Sequence, residues 1–395
     1  MPSTVKNIAP RARALRKLRT WIAEGTLEKG LALPPDRELS ARLGVGLGTV
    51  QRALRILIDE GVVRHDKGRT RVLVGSDQPA ASNALEGMIV VAGFEQPFPH
   101  ATQGWLDFIS VGAVEATRAA GLHSLLLSPA ALLSDEELRR VEIGRPKGVV
   151  FPEQLGGVSI DVIARLASAG LPVVVNGDGP QLTVYDRVVS DHEAGAYALT
   201  RWLIQERGCK RILQLAFAHG DYWMAARRDG YERAMREAGI EPLAPMEFVG
   251  VKPASATDDS EVWFKTGAAY ITGLLYPWLT GSSRVDAVLA ISDEYVPWVA
   301  RAARTFGLQP GQDLLIAGYD NLWAEQAWQD FELAPPTVTI DRRNQIVGQE
   351  LVNLLLDRAA GRIGPEPLRR VIAPELVVPS GAERANIIRF GRPLA

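Results

Sequence analysis

The chain has 395 residues, 47% apolar and 23% charged, with a net charge of −2. That composition excludes a disordered or collagen-like chain and supplies material for two or three globular domains. The small net charge hides a division: residues 1–75 hold 15 Lys+Arg against 7 Asp+Glu, and the remainder 29 against 39. One cysteine, Cys209, rules out an intramolecular disulfide framework and fits a reducing cytosol. The N-terminal residues lack the apolar stretch of a secretory signal, and no apolar run reaches the ~18 residues of a membrane span. The expectation is a soluble, cytoplasmic protein with no membrane partner.

Taken in order, residues 11–25 predict an amphipathic helix with Leu15, Leu18 and Ile22 inward and Arg11, Arg13, Arg16, Lys17 and Arg19 open to phosphates. Trp21 reads as packing. Residues 33–74 then predict two helices, a tight turn between them, and a β-hairpin. Leu39, Leu43, Val50, Leu54 and Leu57 recur at helical spacing, Gly44 can close the first helix, and Gly46 or Gly48 can begin the second. Thr49, Gln51, Arg52 and Arg55 fall on the outward face of that second helix. Gly61 stops it, and two short strands alternate around Lys67, Gly68 and Arg69. A helix of this size fits the major groove, and a basic hairpin beside it reaches phosphates or the minor groove.

Leu33-Pro34, Asp36-Arg37-Glu38-Leu39, Leu43-Gly44-Val45, Thr49-Val50, Arg52-Ala53-Leu54, Glu60-Gly61 and Gly68 together resemble the winged helix-turn-helix of the GntR group of bacterial transcription factors. The likeness runs through some forty residues rather than one motif. It departs where the group often carries a serine (here Gly46) and basic residues (here Leu47 and Gln51), so base preference does not carry over. The resemblance implies contact with double-stranded operator DNA through Arg37, Gly48, Thr49, Gln51, Arg52, Arg55, Lys67, Gly68 and Arg69. It also implies a homodimer on a two-fold operator.

Residues 76–87 are small and polar and read as a linker. From Met88 apolar strands alternate with amphipathic helices, in two successive runs of about a hundred residues with a boundary near Ser190. Ser134, with Glu137 three residues on, reads as a capping box. The alternation predicts an α/β architecture of two lobes, each a parallel sheet covered by helices, with any ligand beyond the strand ends in the cleft between them.

The stretches VVSDHEAGAYALTRWLIQERGCKRILQL, ARRDGYERAMREAGI, DAVLAISDEYVPWVARAARTFGL, DLLIAGYDN and PPTVTIDRRNQIVGQELVNLLLDR resemble the effector domain of the LacI/GalR group, itself similar to periplasmic sugar-binding proteins. The likeness spans 88–380, leaving 381–395 as a tail. By that resemblance lobe 1 comprises about 88–190 and 320–338, and lobe 2 about 191–318 and 342–380. The chain would cross between them near 190, 318–322 and 338–344. A GntR-like reader on a LacI-like sensor is the combination known from arabinose-responsive regulators. The resemblance implies a repressor controlled by a small-molecule effector, a sugar or sugar derivative. It places Asp320, Asp293, Arg227 and Asn176 in the cleft; Trp223, Trp105 and Phe98, by their placement in strand-to-helix loops, are candidates for aromatic faces against a sugar ring. The alternative is a solute-binding sensor with no role on DNA.

Enzyme chemistry finds no support. Gly44 to Gly48 echo a nucleotide-binding glycine run but sit between helices, and the five histidines (65, 100, 123, 192 and 219) lack metal-ligand spacing. No nucleophile elbow or phosphate loop occurs. Neither a cofactor nor a metal is expected.

Overall fold

The computed structural model describes residues 10–23, 26–27, 32–59, 62–65, 71–73, 85–93, 104–152, 160–218, 221–249, 260–323, 332–379 and 386–388. The chain divides into two compact units, 1–84 and 85–395.

In the first unit α1 (Pro10–Ala23), α2 (Asp36–Leu43) and α3 (Leu47–Asp59) precede an antiparallel hairpin of β1 (Val63–His65) and β2 (Arg71–Leu73). Its core is the predicted stripe: Leu39, Leu43, Val50, Leu54 and Leu57 are buried with Ala14, Leu18 and Val63, and Trp21 packs against them. Gly44 closes α2 in the left-handed conformation at φ 64°, which glycine adopts without strain. The Gly46 carbonyl then accepts from Thr49 N (2.8 Å) and Val50 N (3.2 Å), starting α3.

The second unit holds two parallel sheets. In the first lobe the strand order is β13-β7-β6-β5-β3-β4, formed by β3 (Met88–Ala92), β4 (His123–Leu127), β5 (Gly148–Phe151), β6 (Val173–Asn176), β7 (Asp186–Ser190) and β13 (Arg369–Ile372). One face packs on α5 (Asp135–Gly144) and α6 (Ile160–Ser168), the other on α4 (Gly104–Ala119) and α11 (Asn344–Ala359). The second lobe orders β11-β10-β8-β9, from β8 (Ile212–Phe217), β9 (Met246–Phe248), β10 (Ala287–Leu289) and β11 (Leu315–Ala317). Its faces are covered by α7 (His192–Arg207) with α8 (Tyr222–Glu237), and by α9 (Ser260–Leu279) with α10 (Val296–Thr305). A bridge between Ala317 and Val338 extends this sheet to β12 (Thr339–Asp341), which joins β14 (Glu375–Val378) and β15 (Asn386–Ile388) in an antiparallel set. Strands buried on both faces explain their unbroken apolar runs.

Two expectations are corrected here. The described residues after β11, 318–323 and 332–338, stay with the second lobe. Gly318 N and Asp320 N donate to Val338 O (2.8 Å) and Ile340 O (2.7 Å), which ladders 318–320 onto β12 within the second lobe. Conversely α11 and β13, placed in lobe 2 from sequence, belong to lobe 1: Val347, Leu351, Val352, Leu354 and Leu355 share a core with Ile89, Val150 and Val174. The crossings therefore fall at 190–192, 341–344 and 372–375. α11 meets α4 at two glycines, and a Cβ on Gly112 or Gly348 would stand 1.9 Å from the Gln345 or Ile109 carbonyl oxygen.

The capping box also fails to form. Ser134 occupies the N-cap of α5 without a side-chain cap bond, and Glu137 pairs with Arg140 instead. Cys209 is buried in the core beside β8, and burial pushes its thiol up to about 11.

Candidate functional sites: a helix face and an interlobe cleft

On α3 the side chains of Gln51, Arg52 and Arg55 are exposed, as is Gly48, while Thr49 is half-buried. Arg37 stands exposed on the first turn of α2. One carboxylate organises this surface. Asp36 Oδ2 accepts from Gln51 Nε2 at 3.2 Å, and Asp36 Oδ1 pairs with Arg71, the first residue of β2. Asp36 thus ties α2, α3 and the wing strand together. Lys17 and Arg42 stack toward the Trp21 ring at 5.6 and 4.9 Å, so the half-buried indole holds two cations on the surface. The wing residues Lys67, Gly68 and Arg69 lie outside the described residues.

In the second unit the strand ends of lobe 2 gather a buried polar cluster. Asp320 follows β11 at φ 87°, an uncommon conformation for a residue other than glycine, and is 5% exposed. Its Oδ1 accepts from Arg342 Nη1 at 3.1 Å and stands 4.0 Å from Arg227 Nη2. Arg227, 5% exposed on α8, donates from Nη1 to the Ile291 carbonyl (2.6 Å) and from Nε to His192 Nδ1 (3.3 Å). Its guanidinium lies 3.4 Å from the Tyr319 ring centroid and 4.5 Å from that of Trp223. Burial, with the positive charges of Arg227 and Arg342, holds His192 well below its ordinary value and therefore neutral. A neutral Nδ1 acceptor is what the Arg227 bond requires.

Asp293 plays a different part from the one its position suggests. It is fully buried: Oδ2 accepts from Leu322 N (2.7 Å) and Trp323 N (3.2 Å), and Oδ1 from Thr339 Oγ1 (2.7 Å). The carboxylate braces the 320–323 turn and has no face left for a ligand. Burial raises it to about 7, with the Asp320 charge adding and the three hydrogen bonds opposing.

Asn176 ends β6 on the opposite lobe and donates from Nδ2 to the Pro152 carbonyl at 2.7 Å. The lobes touch near it: at Gly179, where φ is 144°, a Cβ would come 2.9 Å from the ring of Tyr222, the first residue of α8. Phe98 lies outside the described residues. Trp105 lies in α4, and its side chain is likewise outside them.

The sequence reading missed Arg342, Tyr319, His192 and Glu294. Arg342 directly follows the β12 strand and Glu294 directly follows Asp293, so position beside a strand end was the available signal. Glu294 Oε1 is buried with no hydrogen-bond partner among the described residues. Burial and the charges of Asp320 and Asp293 raise its carboxyl well above the ordinary range.

Comparison with known proteins agrees with both units. Residues 10–72 match the family model for bacterial regulatory proteins of the gntR family, and residues 203–379 that for the periplasmic binding protein-like domain. The HTH-type transcriptional regulator CelR of Thermobifida fusca is 29% identical over 372 residues, covering 87% of this chain and 97% of that protein. The transcriptional repressor PurR of Vibrio vulnificus is 26% identical over 227 residues, covering 55% of this chain and 59% of that protein. Among solved structures, a LacI-family regulatory protein from Chloroflexus aggregans covers 76% of this chain and 99% of its own at a TM-score of 0.60 and 22% identity. A CelR–cellobiose complex covers 88% of this chain and 99% of its own at a TM-score of 0.57 and 22% identity. The chain joins a GntR-type winged helix-turn-helix to a periplasmic-binding-protein-like domain, and it is a DNA-binding transcriptional regulator.

Proposed function

We propose that this regulator is a cytoplasmic, homodimeric repressor whose effector is a sugar or sugar derivative bound between the lobes of the second unit. The observation that carries the reading is the Asp320–Arg342–Arg227 cluster, lined by Tyr319 and Trp223, at the strand ends of lobe 2. A carboxylate and guanidinium groups are strong, directional partners for hydroxyls in a dry cleft, and aromatic faces suit the C–H side of a sugar ring. The sugar-bound neighbours, one holding cellobiose and another ribose, lend the same support. On the DNA side α3 enters the major groove and Arg37, Arg52 and Arg55 contact phosphates or base edges. Asn176 contributes from the first lobe, so ligand contact on both sides favours closure.

Closure then alters operator affinity, and the coupling is reciprocal because it is a free energy shared by two binding equilibria. The test is fluorescence anisotropy of the purified protein on its own upstream intergenic DNA. The titration is repeated with cellobiose, ribose, other common sugars and a purine base. Specific binding that one sugar shifts supports the reading. Specific binding shifted only by the purine would replace the effector class, and no preference over random DNA would remove the repressor reading.

A further inference from the structure

α3 opens in an unusual way. Its first residue, Leu47, is a large apolar side chain left 40% exposed, and it stands between two glycines. Neither Gly46 nor Gly48 has a positive φ, and a Cβ on either would meet nothing within 4 Å. Gly46 stands at the N-cap of α3, where glycine is ordinary, but at Gly48, inside the helix, the fold has no internal need for glycine, which weakens a helix relative to alanine. Among the described residues the space beside both glycines is open. A surface approaching this turn can come against the backbone at 46 and 48, with Leu47 as the one side chain projecting between them.

One helical turn on, Gln51 shares the face of Leu47. Its Nε2 is tethered to Asp36 Oδ2 at 3.2 Å, which fixes the amide plane and leaves the oxygen and one N–H for an outside partner. In the major groove the one apolar group on a base edge is the thymine methyl. Adenine presents a donor and an acceptor that match a carboxamide, whereas guanine presents two acceptors that match a guanidinium. We propose that α3 reads a thymine methyl with Leu47 and an adenine edge with Gln51, through a close backbone approach that Gly48 leaves open. This specificity rests on α3 being the helix that enters the groove. Asp36 is a positioning residue in it, because it acts through Gln51.

The test uses the full chain and duplexes selected by it from a random-sequence pool, each thymine then being replaced by uracil in turn. At one or more positions the loss of the methyl is expected to weaken wild-type binding about fourfold, the factor for burying one methyl group. Leu47→Ala is expected to bind the thymine and uracil duplexes alike. Gly48→Ala is expected to keep or raise thermal stability while weakening binding to the selected duplex about tenfold, within the range of one lost base-edge contact. Uracil tolerated at every position, or discrimination kept by Leu47→Ala, overturns the methyl contact. Unchanged binding by Gly48→Ala overturns the close approach. If the pool yields no preferred sequence at all, what fails is the placement of α3 in the groove.

Discussion

Arg342 Nη1 lies 3.1 Å from Asp320 Oδ1, and this pair joins the turn that follows β11 to the crossing at 341–344 that leads back into the first lobe. Both residues are less than a tenth exposed. If the effector meets Asp320, as the proposed function has it, it acts on a side chain whose partner lies in the connection between the lobes.

Asp320→Asn is expected to lower the stability of the second unit by about 3 kcal/mol, because two buried guanidinium groups lose the counter-charge they share. Urea denaturation measures it. Adding Arg342→Met is expected to restore part of the loss, since the double variant removes one of the two cations that shared the carboxylate. A double variant as destabilised as the sum of the single changes would show that the two side chains do not interact.

The buried carboxyls set a pH dependence of stability. A carboxyl raised in the folded state binds its proton more tightly there than in the unfolded chain, so stability falls as pH rises through the interval between the two values. For Asp293 that interval runs from the ordinary carboxylate range up to about 7. Glu294 acts in the same direction, and His192, held low, acts in the opposite direction as pH falls below its ordinary value. Asp293→Asn is expected to flatten the decline between pH 4 and about 7 relative to wild type, read from urea midpoints at a series of pH values. An unaltered slope would show that the Asp293 carboxyl is not desolvated.

Gly348→Ala places a methyl against the Ile109 carbonyl and is expected to push α11 off α4. Overpacking of this kind costs about 1–3 kcal/mol. The readout is the thermal midpoint of the second unit, with Gly361→Ala as a poor control because its φ of 65° is strained for alanine, and Gly273→Ala as the proper one. Equal effects at 273 and 348 would refute the close crossing.

On the DNA side Arg52→Ala is expected to flatten the dependence of log affinity on log salt by about one unit if Arg52 meets a phosphate. Sequence preference should then be nearly unchanged, as judged against the same selected duplexes. A change in preference with an unaltered slope would reassign Arg52 to a base edge.

Much of the fold was legible because it rests on periodicity. The stripe of Leu39, Leu43, Val50, Leu54 and Leu57 appears in the core as read, and the apolar runs from Met88 onward became the parallel strands. The lobe assignment after β11 was not legible. It depends on which sheet the 318–341 segment bonds to, a long-range choice that local pattern does not encode. At the cleft, Arg227 and Asp320 were placed together by resemblance, and the structure brings them within 4.0 Å. Asp293 could not be sorted from them by sequence, because a carboxylate that braces a turn and one that meets a ligand look the same until its three donors are seen.

The measurement that tests ligand control most directly is calorimetric titration of the effector found by the anisotropy screen, on free protein and on protein saturated with its operator. The two effector affinities should differ, by the same factor by which saturating effector changes operator affinity. Identical effector affinities in the two states would contradict control of DNA binding from the cleft.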